Sequence, residues 1–241
     1  MKTKRVAVLF LCLITVSCGF VFGKGQIDYD PHIDPANFVT GVNNQYFPLV
    51  PGRTLHYENT ITEGNSITTE NITVTTTHDT KVILGVTCMV VHDVMSENGV
   101  IIEDTYDWYA QDKAGNVWYF GEDTKALERG GWTKEGSWEA GVKGAKPGII
   151  MYADPGAHIG VPYRQEYFKG EAEDMAEVLG VNQPASVKYG SYANCVKTKD
   201  YTDLEPKVIE NKYFAPGIGP VLAIIVQGGK EREELVNITT S

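Results

Sequence analysis

The sequence predicts a mostly antiparallel β protein, a curved sheet or sandwich, with one short helix and a suggestion of internal duplication. Three observations carry this. Runs of alternating apolar and polar residues, rich in Thr, Val, Ile, Tyr and Trp, recur along the chain, as half-buried strands require. Gly- and Asp-containing turn signals separate them. With 42% hydrophobic and 22% charged residues among 241, the chain can bury a sizeable core.

The N-terminus reads as an address. Lys2, Lys4 and Arg5 precede an apolar run from Val6 to Phe22, and Val21 and Gly23 end it in a small-residue pattern. This is the order of a secretory signal, expected over residues 1–23, leaving 24–241 as a single β-rich domain. Two alternatives stand beside it: an uncleaved anchor helix, and a lipoprotein signal ending at Cys18 after Val16-Ser17. The protein is therefore expected to be secreted or periplasmic, or lipid-anchored through Cys18. No later apolar stretch is long enough to span a membrane, so no span is expected after signal cleavage.

After the leader, strands are expected over Ser66–Thr77, Val82–Val86, Cys88–Val94, Val100–Gln111 and Asn116–Gly121. Asp112-Lys113-Ala114-Gly115 is the turn between the last two, with Gly where positive φ costs little. Residues 121–160 hold nine of the 25 glycines and read as a looped connector. Glu171–Leu179 reads as the one helix, with acids in its first turn and Gly180 as its stop. Strands follow over Ser186–Tyr189, Asn194–Tyr201, Lys207–Ala215, Pro220–Gln227 and Glu231–Ile238, with turns at Pro216-Gly217 and Gly228-Gly229.

The sequence suggests one unit repeated in outline, over about 46–122 and 156–238. Segments around Gly52, Cys88 and Ala110 have counterparts around Gly160, Cys195 and Ala215, at offsets of 105 to 108 residues. The identities are few, so similar hairpins arising independently remain the other reading. Cys88 and Cys195 hold matching places in the two units. In an exported chain an even pair favours a disulfide; the alternative is two buried thiols.

Familiar catalytic and phosphate-binding motifs are absent, and the His residues at 32, 56, 78, 92 and 158 lack ligand spacing, so no catalytic residue, metal or cofactor is expected. A net charge of −10 argues against nucleic acid as a partner. The most informative segment is the hairpin Glu103–Glu122. A loop at Asp112–Gly115 would set Ala110 opposite Val117 and Trp108 opposite Tyr119, leaving rings on both faces. Either both faces are covered, or one lines a groove for a sugar or small amphipathic molecule, with Tyr106, Asp107, Trp108, Trp118, Tyr119 and Glu122 as candidate ligand-binding residues. Acids cluster at Glu103-Asp104 with Asp107, at Glu122-Asp123, and at Glu171, Glu173 and Asp174. They suggest hard-cation binding or acid–base work, against solvated edges and a helix start as the plainer readings.

The stretch from Glu103 through Asp107-Trp108-Tyr109-Ala110-Gln111-Asp112 and Asn116-Val117-Trp118-Tyr119-Phe120-Gly121 to Asp123, with Tyr213-Phe214-Ala215-Pro216-Gly217-Ile218-Gly219, resembles a family of uncharacterised secreted or lipid-anchored bacterial envelope proteins. The likeness runs from about Tyr46 to Val236. It implies an envelope location and a largely antiparallel β fold, and it carries no functional residue with it. By analogy of fold alone, the same turn is similar to that of envelope lipoproteins whose curved sheets hold apolar cargo. The expected function is an extracytoplasmic binding or structural protein whose partner is an unknown small molecule or envelope component. The alternative is a secreted hydrolase with paired carboxylates, for which two acids would have to project inward from facing strands.

Overall fold

The computed structural model describes residues 29–128 and 130–241. The expected signal and Cys18 lie outside them. Eighteen strands run in chain order: β1 (Phe38–Val39), β2 (Val42–Asn44), β3 (Phe47–Leu49), β4 (Arg53–Glu63), β5 (Ser66–Ile83), β6 (Val86–Glu97), β7 (Val100–Asp112), β8 (Val117–Glu128), β9 (Gly131–Thr133), β10 (Trp138–Glu139), β11 (Lys146–Met151), β12 (Pro162–Arg164), β13 (Glu166–Tyr167), β14 (Asp174–Val187), β15 (Gly190–Thr202), β16 (Ile209–Ala215), β17 (Gly219–Gln227) and β18 (Glu231–Thr240).

The strands build one antiparallel sheet in the order β12-β14-β15-β16-β17-β18-β4-β5-β6-β7-β8-β11-β13. The ten long strands β4–β8 and β14–β18 are sequential hairpin neighbours, except that the last, β18, returns to pair with β4. Residues 162–167 then bring the two edges together. Its first part, β12, pairs with β14, and its second, β13, pairs with β11. The sheet is thereby nearly closed into a barrel, which leaves few bare edge groups.

Alternation in the strands decides which side is inside. In β5, Glu70, Ile72, Val74 and Thr76 are buried, while Asn71 faces out. The hairpin β2–β3 lies apart from the sheet and plugs one end. Its Phe47 is buried against Tyr109, with ring centroids 5.2 Å apart. Asn44 ties it down: its side-chain amide donates to Gly115 O (2.9 Å) and Tyr152 O (3.1 Å). Arg53 holds the neighbouring chain, donating to Pro48 O and to Gly217 O and Ile218 O.

Three expectations are corrected. No α-helix occurs among the described residues, which contain only short 3-10 turns at Pro35–Asn37 and Pro155–His158. The expected helix at Glu171–Leu179 is mostly the start of β14. Ala176 and Val178 are buried in alternation, and pairing with β15 outweighs a weak helical preference. Val82–Val86 is not one strand, because the chain reverses at Leu84 and Gly85, whose φ values are 51° and 80°. Cys88 and Cys195 are both buried free thiols rather than a disulfide. They lie on β6 and β15, six strands apart in the sheet.

A carboxylate belt as candidate functional site

Residues that pair across a ladder share a face, so the registers define a belt inside the barrel. Glu233 of β18 lies opposite Asn59 of β4, which lies opposite Glu70 of β5. Asp93 of β6 is opposite Thr105 of β7, and Asp107 of β7 is opposite Glu122 of β8. On the other side Asp200 of β15 faces Glu210 of β16, and Thr198 faces Lys212. Among the described residues eight carboxylates are buried, and Lys212 is the one buried cation.

Some of these groups are paired. Lys212 Nζ stands 3.1 Å from Asp200 Oδ2 and 3.4 Å from Glu210 Oε2. The Tyr119 hydroxyl is 2.7 Å from Asp107 Oδ1 and 2.9 Å from Glu122 Oε2. It has one proton for two acceptors, so a second proton must come from one of the carboxyls. The indole N–H of Trp138 donates to Glu166 Oε2 at 3.0 Å. Neither oxygen of Glu233 has a hydrogen-bond partner among the described residues.

Desolvation dominates the chemistry of the belt, because burial favours the neutral acid. It raises Asp107 to about 8, against the Tyr119 hydrogen bond, with nearby Glu103 adding to the rise. Burial likewise raises Glu210 to about 8, opposed by Lys212. Glu103 and Glu231 are raised to about 7, and Asp93, Glu166 and Glu233 well above the ordinary range, each mainly by burial. Burial pulls Lys212 down, but Asp200 and Glu210 more than reverse that, so it stays charged. Near neutral pH Asp93, Asp107, Glu166, Glu210 and Glu233 are therefore largely neutral acids in a belt that holds one ammonium group.

A cavity of about 40 Å³ lies beneath the plug. Phe47, Tyr109, Tyr119 and Phe214 line its apolar side, and Gln165, Glu166, Asp174 and Lys212 its polar side. That is room for roughly two or three waters. A smaller space of about 20 Å³ lies among Arg53, Leu55, Tyr57 and Val74. Among the described residues no group of three His, Cys, Asp or Glu could hold a metal ion.

The six candidate residues do not form one surface. Asp107, Tyr119 and Glu122 meet inside. Tyr106 is on the outer face, stacked on His92 at 4.3 Å. Trp108 also faces outward, with Lys81 Nζ 3.2 Å from its ring centroid. Trp118 is half-buried and donates to Asp112 Oδ2 at 2.9 Å. The register differs from expectation: Tyr109 is opposite Tyr119 and Ala110 opposite Trp118. An extra residue in β8 at Phe120-Gly121 makes a bulge, so Tyr119 and Glu122 both point inward. Gly121 has φ 124°, and a Cβ there would sit 2.3 Å from Trp138 O. Near the turn the outer face of this hairpin is covered too, by Phe38 against Phe120 with centroids at 5.6 Å, whereas Tyr106 further along stays exposed.

Sequence reasoning missed Glu70, Asp93, Glu166, Asp200, Glu210, Lys212 and Glu233. The available signal was acids at the same parity as apolar residues, as in Glu231, Glu233 and Leu235. The acids Glu171 and Glu173 do not join the belt: Glu171 is exposed, and Glu173 Oε2 lies 3.9 Å from Arg164.

No protein-family model and no curated protein matches the chain. Two solved structures are similar. A Bacteroides fragilis protein described as exported and YmcC-like in fold has a TM-score of 0.50 at 14% identity, covering 82% of this chain and all of its own. A Parabacteroides distasonis protein described as a lipoprotein has a TM-score of 0.48 at 10% identity, covering 81% and 99%. The first likeness shows a shared fold. Among the described residues no helix is long and apolar enough to cross a membrane.

Proposed function

We propose that the chain is an extracytoplasmic, non-catalytic binding protein of the bacterial envelope, taking a small molecule at the plugged end of its barrel. The carrying observation is the cavity itself, where four aromatic rings face Glu166, Asp174 and Lys212 under the tethered hairpin β2–β3. Rings give apolar area, and a few fixed polar groups give orientation, as small-molecule sites need. The mixed lining suits a ligand with an apolar body and one polar or cationic group. Anything larger than a few waters requires the plug to lift.

Export is supported by the charged, apolar and small-residue order of residues 1–23, and by a fold shared with a protein described as exported. The hydrolase alternative is supported by Asp107 and Glu122, which project inward from facing strands. Neither carboxyl lines the cavity under the plug, which favours the binding reading.

Calorimetric titration of the chain lacking residues 1–23 with sugars, short amines and small amphipathic molecules tests it. The expected result is a binder that slows amide exchange in residues 42–49. A binder that protects only the outer face near Tyr106 and Trp118 moves the site. Turnover of any compound returns the hydrolase, and a panel without binders favours a structural role.

A further inference from the structure

The slightest joint along the sheet is the two-residue ladder between β11 and β13, in the closing segment. β4 and β5 pair without interruption from Thr54↔Thr75 to Glu63↔Ser66. The closing segment 162–167 pairs three residues with β14, extended by one hydrogen bond from Gln165 N–H to Asp174 O at 2.9 Å, and two with β11. One of those two faces Pro147, which has no N–H to give. The strands meet closely there, since a Cβ on Gly148 would lie 2.3 Å from the Gln165 carbonyl carbon.

At this joint sits Glu166, buried and turned toward the cavity. Charged and titratable groups face it from nearly every side: Glu122 and Tyr119 from β8, Tyr109 from β7, Asp174 from β14 and Lys212 from β16. The Trp138 indole from β10 bonds it directly. β11 presents Pro147, while its Lys146 is turned away to Asp30 at 2.5 Å. Arg164 of β12 is engaged by Glu173 and by the Tyr167 ring.

We propose that residues 162–167 form a proton-controlled gate, closed while Glu166 and Asp174 hold protons and opened toward the cavity when both have released them to water. Two carboxylates would then share a poorly solvated space in which Lys212 is already committed to Asp200 and Glu210. Parting the short ladders admits water to both, and no other interior acid stands on so slight a pairing. Burial, with Asp174 and Glu122 nearby, holds Glu166 well above the ordinary range; burial, with Asp200 of β15 and Glu205 adding to it, holds Asp174 at about 7 against Lys212 and the Thr202 hydrogen bond. The gate is accordingly shut in acid and opens above neutrality.

Hydrogen–deuterium exchange on the full chain, at about pH 6 and about pH 8.5 and corrected for intrinsic rates, tests this. Protection of amides in 163–167 is expected to fall about tenfold more than that of β4, the factor given by one pKa unit of differential interaction. Glu166→Gln keeps an acceptor for Trp138 and removes the charge, so the extra fall should vanish. Equal loss at the seam and β4, or an undiminished fall in E166Q, overturns the gate. If E166Q does not fold, the wild-type comparison still decides, and Asp174→Asn supplies the second variant. Opening needs no ligand, so the outcome is independent of the binding reading.

Discussion

Asp107 and Glu122 face each other across β7 and β8, and the single hydroxyl of Tyr119 lies within hydrogen-bond distance of both, at 2.7 and 2.9 Å. Removing that hydroxyl with Tyr119→Phe takes a buried donor from two acceptors and keeps the ring. Urea unfolding at mildly acid pH should show a loss of about 1–3 kcal/mol. A change within about 0.5 kcal/mol would mean that the carboxyls satisfy each other directly.

The belt also sets the pH dependence of stability. Asp107 and Glu210 at about 8, and Glu103, Asp174 and Glu231 at about 7, hold protons in the folded state. An unfolded chain loses them near pH 4. Between those values the folded state binds more protons, so stability falls as pH rises from about 4 to about 8. Denaturant titrations should give about 3 kcal/mol less stability at pH 8.5 than at pH 5, two pKa units' worth. Maximal stability at alkaline pH would contradict this account of the interior.

Lys212 is the one buried cation of the described residues and touches two acids. Lys212→Met leaves Asp200 with the Thr198 hydroxyl alone and takes the one cation from both Asp200 and Glu210. The expected cost is about 3–5 kcal/mol, as for breaking a buried pair. It should grow between pH 5 and pH 8, as the neighbouring acids lose protons. A cost independent of pH would show that Lys212 acts by packing alone.

Burial lifts the Cys88 thiol to about 12 and the Cys195 thiol to about 11. Both should be inert to a thiol reagent in the native chain lacking residues 1–23. Two thiols should appear on denaturation without reductant. None would restore the bridge that the sequence suggested.

Local pattern alone determined the class of this protein. Period-two alternation and turn residues place Val100–Gln111, Lys207–Ala215 and Glu231–Ile238 in strands, and Pro216-Gly217 and Gly228-Gly229 between them. Those signals lie within a few residues of the features they specify. The tertiary structure decided what the strands enclose. An acid at an inward position, such as Glu233 or Glu210, looks in sequence like a solvent-facing one, and only the closing of the sheet by 162–167 makes it interior. Whether Tyr119 and Glu122 share a face depended on one extra residue beside Gly121, where β10 crosses too closely for a side chain. The apparent helix at Glu171–Leu179 became strand because β15, distant in sequence, offered a ladder of hydrogen bonds. Register and closure are set by contacts far apart in the chain, which a local pattern does not contain.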